Sequence, residues 1–327
     1  MSDARPSWTL AEIGGLLGWA ESGALTSEEL GRARAQAPLA PSPAQWRHAA
    51  ERLLAFAGIL LMATGLVFFF AYNWDDLHRY AKLGLAWSAM AACGVAALFV
   101  QPGSIAYRAA LLGAAIATGV LLALIGQTYQ TGADLWELFA AWLLLITPFA
   151  LLARSSATWL LWVLLANLAL GRYLSTSSWF IWLGLLSGPE GLYLMAGINL
   201  GLLLGFEAFA ARLLVMPRRL VQRLLALGVI APLAAGAGIG WWDADYLVLT
   251  PAFFLLGGLG FWFYRDRRRD VPILAMVVFA AIAVLTLGLA KWLPDDFFAY
   301  NLVALFVIAC TGYAAVWLLR LVKQGAA

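Results

Sequence analysis

Ten apolar runs of about 20 residues each decide what this chain can fold into. They fall at 53–72, 81–100, 107–126, 135–153, 155–174, 191–212, 220–241, 245–264, 271–291 and 298–319. A helix of that length crosses about 30 Å of hydrocarbon. Inside lipid, only helices and closed barrels satisfy their own backbone polar groups. The composition agrees: charged residues make up 12% of the 327 and apolar ones 63%, where a soluble domain carries roughly 25% charged residues. The expected fold is an all-α polytopic transmembrane helix bundle of about ten spans with a small cytosolic N-terminal helical region.

Charge alternation provides a check on the span count. With the N-terminus inside, all but four of the 21 Lys and Arg residues fall on the inner side, the exceptions being Arg79, Lys82, Arg172 and Lys291. A wrong count would scramble this asymmetry, so the positive-inside rule supports ten spans with both termini cytosolic. The outer connections are acidic and aromatic, with Asp75, Asp76, Asp134, Glu137, Asp243, Asp245, Asp295 and Asp296 beside Trp74, Trp136, Trp241, Trp242 and Trp292. Tryptophan favours the headgroup level because its ring is apolar and its N–H is not.

The chain divides at about residue 50, into a cytosolic helical region, 1–50, and the bundle, 51–327. Thr9-x-x-Glu12 and Thr26-x-x-Glu29 fit capping boxes, and Ser42-Pro43 is a third helix start. The opening residues lack the short apolar core of a cleavable signal, so none is expected. Residues 178–186, within SSWFIWLGLLSGPE, are too few to cross and read as an interfacial or re-entrant piece. Cys93 and Cys310 lie in apolar runs and read as small buried residues. With His48 and His78 as the only histidines, no metal site is expected. No cofactor is expected either.

Polar residues near the membrane carry the functional question. The stretch GQTYQTGADLWELF, 126–139, gathers Gln127, Thr128, Tyr129 and Gln130 in an outer hairpin joining spans 3 and 4. Asp134 and Glu137 fit a capping box for span 4. The two amides and the phenol are open to two readings, bonding neighbouring helix ends or holding a ligand. NWDDLHRY, WWDADY and WLPDDFFAY share aspartates that either cap the next span or converge on a cation or basic substrate. Glu207 is the clearest intramembrane charge, and its plain reading is a carboxylate paired with Arg212. Lys82 and Lys291 sit where long stems can snorkel, most plainly for Lys291. Asn167 and Asn199 read as helix glue, and Gly201-x-x-x-Gly205 as a close-packing signal. The clusters MPRR and RDRRRD suit topology determination or anionic lipid. No P-loop, metalloprotease, nucleophile-elbow or dinucleotide motif is present, which lowers the case for an enzyme.

Two stretches, FFFAYNWDDLHRYAKLGLA and LIGQTYQTGADLWELFAAWLLL, resemble the bacterial membrane proteins of domain-of-unknown-function family 2157. The similarity rests on Asn73-Trp74 followed by Lys82, and on Gly126-Gln127-x-Tyr129 followed by Asp134-Leu135-Trp136 and Leu138. With SGALTSEEL near the start, it covers roughly 8–155. The resemblance implies a bacterial inner-membrane location and no reaction. The leading expectation is a protein that transports or binds a small polar ligand at its outer face, through Asn73, Trp74, Lys82, Gln127, Tyr129 and Gln130. A membrane-embedded enzyme using Asp75 or Glu137 on a lipid-linked substrate is the second reading. A structural or signalling partner is the third. Expected partners are the bilayer, the polar ligand and further copies of the chain, with no nucleic acid.

Overall fold

The computed structural model describes residues 43–72, 77–130, 132–174, 188–215, 219–294 and 296–325. The expectations for 1–42, for 178–186 and for Asp75, Asp76 and Asp295 lie outside the described residues. Among the described residues, ten α-helices follow one another: α1 Pro43–Tyr72, α2 Arg79–Phe99, α3 Ile105–Tyr129, α4 Leu135–Ala153, α5 Ser156–Leu174, α6 Pro189–Leu213, α7 Leu220–Ile239, α8 Leu249–Trp262, α9 Val271–Trp292 and α10 Phe297–Gly325. Nine of them, and α8 taken together with the turns that flank it (Ala244–Arg267), are long and apolar enough to cross a membrane. A 3-10 turn, Ala244–Tyr246, precedes α8, and a π turn, Phe263–Arg267, follows it. Successive helices alternate in direction across the bundle. One end of the bundle, where α1 starts, therefore collects Arg52, Arg108, Arg154, Arg219, Arg223 and Arg268; it is the basic end.

Two helices organise the packing. α3 touches α1, α2, α4 and α5, while α7 touches α5, α6, α8 and α9. More than half of the spanning window of each is buried, against 6% for α1 and 11% for α10. Their sequences explain the difference, because AALLGAAIATGV and APLAAGAGIG are rich in small residues that let neighbours approach closely. α1 packs chiefly on α3 rather than on its hairpin partner α2.

Close approach is concentrated at particular glycines. The Trp142 indole N–H of α4 donates to the Ala115 carbonyl at 2.8 Å, and its ring covers Gly119, where an added Cβ would lie 2.2 Å away. The same device recurs in the other half. Trp241 donates to Val284 O at 3.0 Å and covers Gly288, where a Cβ would lie 2.7 Å from the ring. In each case the glycine four residues after the acceptor clears room for the indole. Gly228 of α7 serves a polar contact, since its Cβ would fall 2.4 Å from Asn199 Oδ1.

Gly201 and Gly205 behave otherwise. Neither has an atom within 4 Å of its hypothetical Cβ, so the expected close-packing motif packs against nothing among the described residues. α6 meets its neighbours through Leu192, Met195, Asn199, Leu203 and Phe206, all buried, which turns the two glycines to another face. Asn167 and Asn199 do join α5 to α6, by reciprocal amide bonds of 3.1 and 2.8 Å.

Candidate functional site

At the end opposite the basic one, α3 runs further than the apolar pattern indicates. Gly126 to Tyr129 form its last turn, so Gln127 and Tyr129 are helical residues and the hairpin shrinks to 130–134. Gln130 ends the helix in the left-handed region, φ 45° and ψ 51°, with its N–H donated to Gly126 O. That conformation costs a residue with a Cβ roughly 1 kcal/mol. Asp134 and Glu137 form the expected capping box, in which the Asp134 amide donates to Glu137 Oε2 at 3.2 Å.

Phe70, Ala86 and Leu124 cluster here, bringing the ends of α1 and α3 to the start of α2. Lys82 lies one turn before Ala86 and Thr128 one turn after Leu124, so the antiparallel pair turns both toward the same junction. Lys82 is 8% exposed, a buried lysine and not a snorkelling one. Lys291 is exposed, with its Nζ 5.8 Å from the Trp242 ring. The Thr128 hydroxyl is buried without a hydrogen-bond partner, while Gln127, Tyr129 and Gln130 are exposed. Asn73 and Trp74 lie outside the described residues.

The densest polar centre lies at the basic end, and its partners differ from the expected one. Glu207 does not pair with Arg212, whose guanidinium stacks over Phe209 at 5.8 Å. It pairs with Arg219, accepts from Tyr264 Oη at 3.0 Å and accepts from Arg268 at 3.1 Å. The reason is direction: helical side chains lean back toward the N-terminus, which carries Glu207 away from Arg212, while α7 packs along α6. Asp270 caps α9 through Ile273 N at 3.4 Å and takes Arg223 Nε at 3.1 Å. Arg219 Nε lies 2.8 Å from Asp270 Oδ2, an ion pair without hydrogen-bond alignment. The π turn presents Tyr264 inward, and Arg268 N–H closes it onto Phe263 O at 3.0 Å.

Every carboxylate oxygen of Glu207 and Asp270 has a partner, and both residues are buried. Such saturated pairs hold their side chains in place, which suits a clamp on the ends of α6 to α9. An apolar cleft of about 380 Å³ opens beside it, lined by Leu203, Val229, Leu256, Phe263 and Val277, with Glu207 and Tyr264 contributing to its wall.

These features define a polytopic α-helical membrane protein. Residues 17–159 match the model of a family described as predicted membrane protein, domain of unknown function 2157. No curated protein and no solved structure matches the chain. The matched stretch contains Lys82 and Thr128. The Glu207 network falls outside it.

Proposed function

We propose that the protein binds a small polar ligand where α2 begins and α3 ends, and that this end faces outward from a bacterial cytoplasmic membrane. The burial of Lys82 near the start of α2 and the unpartnered Thr128 hydroxyl in the last turn of α3 carry the reading. A buried ammonium gives a positive anchor, and a buried hydroxyl is costly unless something bonds it. Gln127, Tyr129 and Gln130 would orient the ligand, with Asn73 and Trp74 completing the site. The left-handed Gln130 supports this, since backbone strain tends to persist at functional positions. Binding is better supported than transport. A five-plus-five inverted repeat would pair α3 with α8, yet the second packing centre is α7. An enzyme using Glu137 is disfavoured because that carboxylate closes its helix cap.

Two measurements test the proposal. Zwitterionic, neutral and anionic polar compounds are screened for raising the unfolding temperature of the purified protein and of its Lys82→Met variant. A compound that stabilises only the wild type supports the site. Equal shifts in both proteins, or none with any class, sink it. Reporter fusions near Gly132 should signal outside and those at the C-terminus inside, and the reverse would overturn the orientation.

A further inference from the structure

A second cavity lies at the basic end, at the junction of α1, α3, α5 and the start of α7. It measures about 220 Å³ and is lined by Arg52, Arg108, Arg154, Ser155, Ser156 and Leu220 among others. None of its lining residues, among those described, is a carboxylate. Arginines at this end are expected from topology alone, but Arg108 and Arg154 differ from side chains reaching loosely for water. Arg108 holds its Nε buried without a hydrogen-bond partner. Arg154 is fixed at both ends: its backbone is left-handed at φ 45°, and its Nη2 donates to Ala211 O at 2.8 Å. The first turn of α5 supplies Ser155 and Ser156, and its N-terminal end favours negative charge.

Like charges gathered around a cavity repel unless a counter-charge joins them. We infer that this cavity binds a phosphate group, with the Arg108 and Arg154 guanidinium groups as anchors and the Ser156 hydroxyl as a further donor. Planar guanidinium forks match phosphate oxygens better than point charges do. The volume equals roughly seven waters at about 30 Å³ each, which accommodates a phosphate and the carbons esterified to it. An anionic phospholipid headgroup and free inorganic phosphate share this chemistry. The site is independent of the polar junction at the opposite end.

The test uses the full-length protein in neutral detergent. Its unfolding temperature is measured with phosphatidylglycerol, with phosphatidylcholine, with inorganic phosphate and with chloride at matched ionic strength. Phosphatidylglycerol or phosphate should raise it by about 2–4 °C at tenfold excess over Kd, relative to its control. A response to phosphate identifies the free anion, and a response confined to phosphatidylglycerol identifies the headgroup. The rise should vanish in Arg108→Gln and in Ser156→Asp, which places a carboxylate where the phosphate would sit and suits a helix start. Native mass spectrometry of the wild type gives a reading that needs no variant: retained phosphatidylglycerol or phosphate, and no retained phosphatidylcholine, is expected. The inference is overturned if neither anion shifts the wild type, if the shift persists in both variants, or if neither anion is retained.

Discussion

The two arginine clusters at the basic end are built from the same residue type and reach opposite states. Around Glu207 and Asp270, three guanidinium groups meet two buried carboxylates and a phenol, and the acceptors are saturated. Around Arg108, three guanidinium groups meet a cavity lined without a carboxylate. The first cluster therefore acts as a fastener among α6, α7, α8 and α9. The second presents the Arg108 and Arg154 guanidinium groups to a cavity where α1, α3 and α5 converge. Basic residues set topology in both places, but only the distribution of acidic partners decides whether the charge is spent internally.

Removing one charge from each cluster should separate them clearly. Glu207→Leu is expected to have the largest effect, a loss of about 3–5 kcal/mol, because it leaves Arg268 and the Tyr264 hydroxyl without their acceptor and Arg219 with Asp270 alone. Denaturant titration of the purified protein measures it, and wild-type stability would end the clamp interpretation. Glu207→Gln keeps a hydrogen-bonding oxygen but no charge, so a loss of about 1–3 kcal/mol is expected by the same titration. Converting the open cluster toward the closed one is a sharper comparison. Ser156→Asp should stabilise the anion-free protein by about 0.3–1 kcal/mol through the helix end and nearby arginines. The smallest effect belongs to Arg108→Gln, within about 0.5 kcal/mol in anion-free detergent, since no described carboxylate loses a partner. A loss comparable to that of Glu207→Leu would erase the distinction between the clusters.

The spans were legible in the sequence because length and hydropathy are local properties of each run. The Asp134–Glu137 box was legible for the same reason, since helix spacing alone brings residues three apart together. The partners of Glu207 were not. Arg219 and Arg268 approach it across helix ends, and only the order of helices in the bundle brings them there. Arg52, Arg108 and Arg154 each looked like a topology signal because their convergence depends on α1 packing against α3. The glycines illustrate the same limit. Gly201 and Gly205 have the recognised spacing and lie open, while Gly119 and Gly288 have no local pattern and sit under tryptophan rings. At the opposite end, the polar character of 126–130 was plain, but the burial of Lys82 depends on how α2 lies along α3.

The π turn at Phe263–Arg267 has a consequence for how this chain can change over generations. Such a turn holds one residue more than an α-helical turn would, and each residue advances the chain by about 100° around the axis. Loss of one residue there would let α8 continue in ordinary register. Tyr264 and Arg268, which now converge on Glu207, would then stand about 100° out of step, and Asp270 could not keep both arginines of α7. Loops at helix ends usually accept insertions and deletions freely. This one is expected to keep its length even where its exposed side chains drift, so that residue count, more than residue identity, is the inherited property of the segment.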